Sequence, residues 1–236
     1  MQRDSNSISS TIPYSGTNHD LRHASSRTVS RGIKRAFDVV VSVGLFLTLW
    51  PVILLTWMVI RQKMGSPVVL QQARPGIGEL PFVLYKFRTM TDDRGPDGEL
   101  LPDAARLTSL GRTLRRLSLD ELPQLWNVIK GDMSLVGPRP LRMDYLPYFT
   151  ELERLRHTVP PGITGWAQIH GRNEAAWDQR LAADVWYVEN WSLLLDFKIL
   201  LATLGRVLRR KNVVDDPRSI MLNLNEERAH MTRRAS

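Results

Sequence analysis

A run of 22 residues without a formal charge, Val39–Ile60, limits what this chain can fold into more than any other feature. A helix rises about 1.5 Å per residue, so a helix of this length could cross the hydrocarbon core of a bilayer, which is about 30 Å thick. A buried helix of a soluble protein rarely extends so far without a charge. The run therefore predicts a membrane-inserted helix, with a buried soluble helix as the alternative.

Two features of this run argue against a simple crossing. Pro51 lies near its middle and removes a backbone hydrogen bond, so a kink is expected there. Basic residues flank both ends, and such flanks stay cytoplasmic, which favours both ends on one side. They are Arg31, Lys34, Arg35, Arg61 and Lys63. The sequence predicts a re-entrant helix hairpin over residues 31–64, broken at Pro51. A single kinked span is the alternative, because many transmembrane helices contain proline.

The net charge of +8 lies mainly at the two ends of the chain. Residues 1–35 carry +4 and residues 209–236 carry +3, so the middle carries only +1. Basic tails suit an anionic membrane surface. They would also suit nucleic acid, but the middle offers no basic face with interleaved aromatic residues, so no nucleic-acid partner is predicted. The absence of cysteine excludes disulfides and thiol chemistry.

The remaining patterns predict an α+β fold that is mostly helical. Two short strands, Val68–Gln72 and Phe82–Arg88, form a β-hairpin around a turn at residues 74–78. Helices are expected at Ala104–Leu117, Ser118–Lys130, Glu151–His157, Trp177–Glu189 and Trp191–Arg210. The first of these is basic and amphipathic. The last has one apolar face, formed by Leu194, Phe197, Leu201, Leu204 and Leu208.

Domain boundaries follow from composition. Residues 1–30 are rich in Ser, Thr, Asn and Arg without apolar periodicity, which predicts a disordered tail. The membrane helix follows at residues 31–64, a folded domain at 65–211, which the family resemblance given below implies is the catalytic domain, and a C-terminal tail at 212–236. Five prolines within residues 135–165 predict that most of that stretch is ordered loop.

Asp120 and Glu121 are the leading candidates for chemistry. Their acidity could simply serve a helix start, because Ser118 and Glu121 have capping-box spacing and acids in a first helical turn complement the macrodipole. Basic residues in the surrounding motifs favour a further role: Lys86, Arg88, Arg115, Arg116 and Arg139. Arg139 lies between two prolines that fix its backbone, and guanidinium groups suit bidentate phosphate contacts. Carboxylates beside cations also suit a diphosphate that carries Mg²⁺.

Five ordered motifs give the chain a family resemblance. It resembles the monotopic polyprenyl-phosphate phosphoglycosyl transferases, which are bacterial sugar transferases, from about residue 33 to about residue 211. The motifs are KRAFD at Lys34–Asp38, YKFRTM at Tyr85–Met90, SLDELPQLWNV at Ser118–Val128, KGDMSLVGPRP at Lys130–Pro140 and PPGITGWAQIHGRN at Pro160–Asn173.

The resemblance implies roles for matched residues. Asp120 is the nucleophile that attacks the sugar-linked phosphate of a UDP-sugar, releasing UMP and leaving a covalent phosphosugar, and it is a ligand of Mg²⁺. Glu121 supports it by metal or proton handling. Phosphate or nucleotide binding is assigned to Lys86, Arg88, Arg115, Arg139 and Gln168. Family members break the membrane helix at a Ser-Pro pair, whereas this chain has Trp50-Pro51.

The resemblance also implies a location. Undecaprenyl phosphate accepts the sugar phosphate, membrane lipids surround the protein, and interfacial amphipathic helices surround an active site on the cytoplasmic face of the bacterial inner membrane. The sugar and the oligomeric state, a homodimer included, stay open. Two rival functions also stay open: a glycosyltransferase that releases UDP, and a membrane scaffold without activity.

Overall fold

The computed structural model describes residues 18–170, 177–209 and 223–228, with the side chains of 18–29 and 207–209 left out of the description. The described part is mostly helical with a small amount of sheet, which confirms the coarse fold prediction. Its helices and strands, in chain order, are α1 (Asn18–Met64), β1 (Val69–Pro75), β2 (Pro81–Phe87), α2 (Asp103–Arg106), α3 (Ser109–Arg116), α4 (Gln124–Lys130), β3 (Ser134–Val136), α5 (Glu151–Arg154), β4 (Gly162–Thr164), α6 (Trp166–His170), α7 (Trp177–Glu189) and α8 (Leu193–Arg209).

Helix α1 contains the long apolar run. Its part Ser30–Met64 is long and apolar enough to cross a membrane, and only 11% of its most apolar window is buried in the protein. A core helix of a soluble protein would be mostly buried, so this exposure indicates membrane association. Helical residues continue on both sides of Pro51. Thr48 donates its hydroxyl to the carbonyls of Gly44 and Leu45, at 2.9 and 3.2 Å.

The start of α1 differs from the expected boundary of the N-terminal tail. We expected disorder through residue 30, but the helix begins at Asn18. Residues 18–31 contain neither Pro nor Gly. Extending an existing helix adds one backbone hydrogen bond for each residue fixed, so the helix can continue towards the N-terminus from the membrane segment. The rest of the expected tail, residues 1–17, lies outside the described residues.

Strands β1 and β2 pair antiparallel from Val69↔Phe87 to Pro75↔Pro81, as the hairpin prediction required. Asn127 of α4 fixes this hairpin to the rest of the protein. Its side-chain amide donates to the Val83 carbonyl at 2.6 Å, and its side-chain oxygen accepts the Tyr85 N–H at 3.1 Å. Asn127 is fully buried, so α4 and β2 are held at a fixed distance.

The expected helix Ala104–Leu117 is divided into α2 and α3. Leu107 between them is extended and forms a β-bridge with Met90. Thr108 then caps α3 by accepting the Gly111 N–H at 2.9 Å. The helix therefore breaks because a threonine cap and a bridge to the end of β2 compete with helical hydrogen bonds.

The expected capping box at Ser118 does not form. Ser118 has a left-handed backbone, with φ of 54°, and its side chain makes no capping hydrogen bond. A short 3₁₀ helix, Leu119–Glu121, follows, and α4 begins only after Pro123. The sequence prediction of one helix from Ser118 was wrong because Glu121 uses its carboxylate in an ion pair elsewhere.

The proline-containing stretch contains a parallel strand pair that the sequence did not predict. Ser134 pairs with Gly162 and Val136 with Thr164. A Cβ on Gly137 would lie 2.4 Å from the Pro160 carbonyl oxygen, so only glycine permits this close approach. The expected helix at residues 151–157 is present as α5 followed by the 3₁₀ helix Leu155–Thr158.

Helix α8 buries one side and exposes the other. Leu195 and Ile199 pack in the core with Leu135 and Tyr187. The predicted apolar face is the exposed one: Leu194, Phe197, Leu201 and Leu204 are 53–64% exposed. An exposed apolar face of this size marks a surface that contacts lipid or another partner.

Residues 223–228 pack on the catalytic domain. Leu224 is fully buried among Tyr145, Phe149, Trp177 and Leu181. Arg228 donates to the carboxylates of Glu153 and Asp178, at 2.6 and 2.7 Å. This part of the expected C-terminal tail is therefore a docked segment.

Candidate active site

The carboxylate of Asp120 is buried and directly paired with a lysine. Lys86 Nζ lies 2.6 Å from Asp120 Oδ2, and the Asp120 side chain is only 3% exposed. Lys86 lies on β2 and Asp120 in the 3₁₀ helix before α4, so the Asn127 contacts that join β2 to α4 also set this spacing. The structure thus brings together two of the predicted site residues.

Glu121 faces a second cation. Its Oε1 lies 2.6 Å from Nη2 of Arg139. Burial alone would raise the pKa of Glu121, but the charges of Arg139 and Lys86 outweigh it and hold this pKa below the ordinary value of 4.5. Glu121 is therefore ionised at neutral pH, and the charge of Glu121 raises the pKa of Arg139.

The backbone of Arg139 is fixed by a hydrogen bond, whereas its side chain is partly exposed to solvent. Its carbonyl accepts a hydrogen bond of 2.7 Å from Arg156, whose guanidinium is in turn paired with Asp184 at 2.7 Å. Arg139 lies in the loop that follows β3, and the pairing of β3 with β4 fixes the start of this loop. The Arg139 side chain remains 40% exposed, so its guanidinium can bind an anion in addition to Glu121.

Two further predicted phosphate ligands have different surroundings. Arg88 is buried and donates to the carbonyls of Met64, Ser66 and Met90 and to the carboxylate of Asp92. These acceptors occupy most of its guanidinium, so Arg88 joins the end of α1 and the loop before β1 to the residues that follow β2. Its assignment to phosphate binding stays a prediction. Arg115, in the last turn of α3, donates to the Thr89 hydroxyl at 3.2 Å, just beyond β2.

Gln168 lies in α6. Its side-chain oxygen and nitrogen are buried without a hydrogen-bond partner among the described residues. Residues 171–176, which include the end of the motif that suggested Gln168, lie outside the described residues. No contact in the described part joins Gln168 to Asp120 or Glu121, so its assignment to nucleotide binding stays a prediction.

An apolar groove lies between α1, the β-hairpin and the residues around the start of α4. Its volume is about 500 Å³. Its walls are formed by Phe46, Trp50, Ile53, Leu54, Trp57, Val69, Tyr85, Phe87, Pro123 and Trp126. Tyr85 and Phe87 are the neighbours of Lys86 in β2, and because side chains alternate along a strand they point to the opposite face from Lys86. The groove thus lies between α1 and the strand that carries Lys86, a feature the sequence did not predict.

Sequence reasoning also missed the buried link between α1 and α8. Lys34 Nζ lies 2.6 Å from Asp196 Oδ2 and 3.0 Å from the Val136 carbonyl. Asp38 accepts the Ser134 hydroxyl at 2.7 Å. The charges within the KRAFD motif, four residues apart at the edge of an apolar run, were the signal for this contact.

The carboxylate pair can be tested against the requirements of Mg²⁺. Within residues 18–170, 177–209 and 223–228 no group of three or more His, Asp or Glu side chains is arranged to hold a metal alone. Magnesium uses one or two carboxylates together with substrate phosphates. The adjacent carboxylates of Asp120 and Glu121, beside the cations Lys86 and Arg139, fit an ion that arrives with a diphosphate.

Comparison with known proteins decides the family. The family model described as bacterial sugar transferase matches residues 29–210, which include both carboxylates, Lys86 and Arg139. The chain belongs to the bacterial sugar transferase family. The resemblance inferred from the motifs is confirmed, as is the expectation of an enzyme of this class.

Relatives of this sugar transferase differ in length. The uncharacterized sugar transferase EpsL of Bacillus subtilis is 58% identical over 75% of this chain and 87% of its own length. The undecaprenyl-phosphate galactose phosphotransferase of Salmonella typhimurium is 38% identical over 77% of this chain and 41% of its own. A UDP-glucose:undecaprenyl-phosphate glucose-1-phosphate transferase of Caulobacter vibrioides is 39% identical over 76% of this chain and 71% of its own length. The match thus spans less than half of the Salmonella relative.

Proposed function

We propose that this sugar transferase moves a sugar 1-phosphate from a UDP-sugar to undecaprenyl phosphate and releases UMP. The activities for which its Salmonella and Caulobacter relatives are named support these substrates. The observation that carries the proposal is the pair of contacts Lys86–Asp120 and Glu121–Arg139, in a protein that also has an apolar groove along α1. Such a step begins the assembly of an exopolysaccharide or O-antigen on its lipid carrier.

The proposed reaction has two displacements at one phosphorus. A carboxylate oxygen of Asp120 forms a bond to the sugar-linked phosphorus, and the bond to the leaving UMP oxygen breaks with its electron pair. A phosphate oxygen of undecaprenyl phosphate then attacks the same phosphorus, and the aspartyl bond breaks to regenerate the carboxylate. Covalent catalysis divides one difficult reaction between two anions into two easier steps.

The paired cations support this chemistry by their charge and their position. Lys86 holds one oxygen of Asp120, which orients the other oxygen for attack and reduces the repulsion between the carboxylate and the phosphate. Glu121 is ionised at neutral pH because of Arg139 and Lys86, so it serves as an anion that orients Arg139 rather than as a proton donor. A bound Mg²⁺, held by Asp120 and Glu121, would neutralise diphosphate charge.

The two ends of the apolar run support a re-entrant topology. Arg35, before the run, donates to the carbonyls of Val128 and Ile129, at 2.5 and 2.9 Å. Ile60, at its end, is buried with Val68 and Phe87. Both ends thus contact one body whose irregular backbone does not suit hydrocarbon. A single span would separate those ends by a bilayer, whereas a hairpin that enters one leaflet keeps them together.

Pro51 and Thr48 supply a reason for such a hairpin. Pro51 cannot donate a hydrogen bond to the carbonyl one turn earlier. Thr48 donates back to the Gly44 and Leu45 carbonyls, a pattern that bends helices. The exposed apolar face of α8, joined to α1 through Lys34 and Asp196, would then lie in the interface of the same leaflet. The active site would then lie at the cytoplasmic face of the bacterial inner membrane.

The apolar groove suits the first isoprene units of the lipid. Its walls are almost wholly apolar, and they combine α1 residues with Tyr85 and Phe87, the neighbours of Lys86. A polyprenyl chain in this groove would lie between α1 and the strand that carries Lys86, so only its phosphate would need to reach past the start of α4 to the Lys86–Asp120 pair. The acceptor could then enter from the bilayer while the water-soluble donor arrives from the cytoplasm.

The full-length protein in detergent or nanodiscs tests the function directly. Incubated with a panel of UDP-sugars and undecaprenyl phosphate, it should release UMP in step with the glycolipid product. Release of stoichiometric UDP would instead support the glycosyltransferase alternative. Asp120→Asn should abolish turnover while leaving the fold and membrane association intact, and near-normal turnover by that variant would reject the nucleophile assignment.

A further inference from the structure

Residues 223–228 contain one helical turn, which lies outside the part of the chain that the family model matches. That match covers residues 29–210. The turn is closed by its own hydrogen bonds, since the Asn223 N–H donates to the Glu226 carboxylate at 3.1 Å and the Asn223 carbonyl accepts the Glu227 N–H at 2.9 Å. A single helical turn is unstable on its own, so contacts with the rest of the protein must hold it in place.

Leu224 fixes this turn to the catalytic domain by burial. It is fully buried in a cluster that includes Phe149, just before α5, and Trp177, the first residue of α7. The Tyr145 hydroxyl donates to the side-chain oxygen of Asn223 at 3.1 Å. The turn therefore packs across the two places where α5 and α7 begin.

Arg228 joins α5 to α7 by ion pairs. Its guanidinium donates to both carboxylate oxygens of Glu153 in α5, at 2.6 and 2.9 Å, and to the carboxylate of Asp178 in α7, at 2.7 Å. Burial would raise the pKa of Glu153, but hydrogen bonds from Arg228 and Thr150 outweigh it and hold this pKa below the ordinary value of 4.5. Glu153 is therefore ionised at neutral pH, and Arg228 binds two carboxylates that belong to different helices.

Arg156 forms a second bridge between the same two parts of the fold. It lies in the 3₁₀ helix that follows α5 and donates to the Asp184 carboxylate of α7, at 2.7 and 3.2 Å. Its guanidinium carbon is 5.4 Å from the ring centroid of Phe149, which belongs to the same cluster as Leu224. Arg156 also donates to the Arg139 carbonyl at 2.7 Å. The spacing of α5 and α7 therefore determines where the backbone of Arg139 is held.

We propose that residues 223–228 position the active site, with Leu224 and Arg228 acting through Arg156 on Arg139. The inference rests on the proposed function and on the assignment of Arg139 to phosphate or nucleotide binding. Arg228 and Arg156 bridge the same two parts of the fold, so loss of the outer bridge lets their spacing change and moves the inner bridge with it. Displacing a positioning group by about 1 Å can cost roughly a hundredfold in rate, so a smaller shift of Arg139 has a measurable effect.

Steady-state kinetics of the full-length protein test this coupling. Arg228→Gln and Leu224→Ala are assayed for UMP release at a temperature at which both variants are folded by circular dichroism. We expect kcat/KM for the UDP-sugar to fall about tenfold, because Arg139 is displaced by a fraction of an ångström. The KM for undecaprenyl phosphate should stay within about twofold, since Arg139 does not line the apolar groove. Arg228→Lys keeps the charge and should recover part of the loss.

Arg106→Gln is the matched control. Arg106 is also mostly buried, and it donates to the Asp103 carboxylate at 2.6 Å and to the Leu101 carbonyl at 2.8 Å. These partners lie in α2 or just before it, so the variant loses similar hydrogen bonds without disturbing α5 or α7. Its kcat/KM for the UDP-sugar should stay within about twofold of the natural protein. The proposal is overturned if Arg106→Gln and Arg228→Gln lower this value equally, or if neither folded variant of the segment lowers it.

Hydrogen exchange without substrate tests the same coupling independently of the reaction. Arg228→Gln should speed amide exchange in residues 151–158 and 177–189, because both ranges lose a bridge that restrains them. Arg106→Gln should leave exchange in both ranges unchanged. Equal exchange in Arg228→Gln and the natural protein would mean that the segment does not hold α5 and α7 together.

The Gly162 amide reports on the loop that carries Arg139. It donates to the Pro138 carbonyl at 2.9 Å. Peptides that contain Gly162 should exchange faster in Arg228→Gln, and unchanged exchange there would reject the link to Arg139. If the unmodified enzyme releases UDP, the proposed function fails, whereas the exchange result still decides whether this segment positions the loop.

Discussion

Lys86 and Asp120 form an ion pair of 2.6 Å between β2 and the short helix before α4. The Asp120 side chain is 3% exposed and the Lys86 side chain 22% exposed, so the pair is shielded on its carboxylate side. Burying a carboxylate is costly unless a cation pairs with it. The pair therefore has two functions, because it offsets the cost of burying the proposed nucleophile and it fixes its position.

Replacing Lys86 by methionine should affect stability and catalysis together. The buried carboxylate of Asp120 would lose its partner, which costs about 3 kcal/mol of unfolding free energy. UMP release should fall at least about a hundredfold, the size typical for losing one electrostatic stabiliser. Denaturant unfolding and a UMP assay would measure both changes.

A double variant provides the control for Lys86→Met. Combining it with Asp120→Asn removes the unpaired charge, so the double variant should be more stable than Lys86→Met alone. Equal stabilities of the two proteins would mean that the pair contributes little to folding.

The Glu121–Arg139 pair predicts a dependence on acid. The pKa of Glu121 is lower in the folded protein than its ordinary value of 4.5. Its ionised carboxylate therefore contributes fully to stability above pH 4.5, and this contribution is lost as the pH falls through the lowered pKa of the folded state. A hydrogen bond between charged groups contributes about 1.5–3 kcal/mol. Unfolding of the natural protein and of Glu121→Gln, compared from pH 7 to pH 3, should converge at the acid end. A constant difference across that range would contradict the pair's role.

The burial of His157 predicts a second loss of stability in acid, at a higher pH than that of Glu121. Burial, followed by the charge of Arg156, lowers the pKa of His157 from 6.5 to about 4. Above pH 6.5 the histidine is neutral in both states, and below it the unfolded chain gains a proton that the folded protein resists. Stability should fall between pH 6.5 and 4, by about 3 kcal/mol in total. His157→Asn should remove this slope, which tryptophan fluorescence can follow during unfolding.

The docked segment 223–228 should contribute measurably to stability. Leu224→Ala removes a fully buried side chain and should cost about 2–5 kcal/mol. Leu100→Ala is a suitable control because Leu100 is 45% exposed, and its effect should be below about 0.5 kcal/mol. Thermal unfolding of both variants would show the difference, and similar melting temperatures would indicate that the segment is not docked in solution.

Cysteine labelling tests the proposed hairpin. The chain has no cysteine, and both Arg31 and Lys63 are exposed, so one cysteine can be introduced at either position. In inside-out and right-side-out vesicles both positions should react with a membrane-impermeant reagent from the cytoplasmic side. Reaction from opposite sides would establish a span.

The sequence predicted the features that depend on local patterns. The uncharged run, the β-hairpin and the apolar face of α8 follow from composition and periodicity, and motifs selected both carboxylates with Lys86 and Arg139. Contacts between distant segments could not be predicted in this way. The parallel pairing of β3 with β4 joins residues far apart in the chain, and nothing local revealed that Arg88 donates to the carbonyls of Met64 and Ser66.

Ser118 illustrates a local rule overridden by tertiary structure. Its spacing from Glu121 satisfies the capping-box pattern, yet the energy of the Glu121–Arg139 ion pair is available only once β3 and β4 have brought Arg139 into place. The left-handed backbone at Ser118 turns the chain so that adjacent carboxylates meet different cations. The residues near Ser118 in sequence do not reveal which cations the two carboxylates will meet.

The contacts at the start of α1 bear on whether this enzyme can be released from its membrane by proteolysis. Cleavage after Met64 would leave the buried carboxylate of Asp196 without the ammonium of Lys34, and Ser134 without its acceptor on Asp38. The same cut would remove one whole wall of the apolar groove. A shed fragment would therefore lose part of its own interior, so the cell cannot obtain a soluble active form by cutting off this anchor.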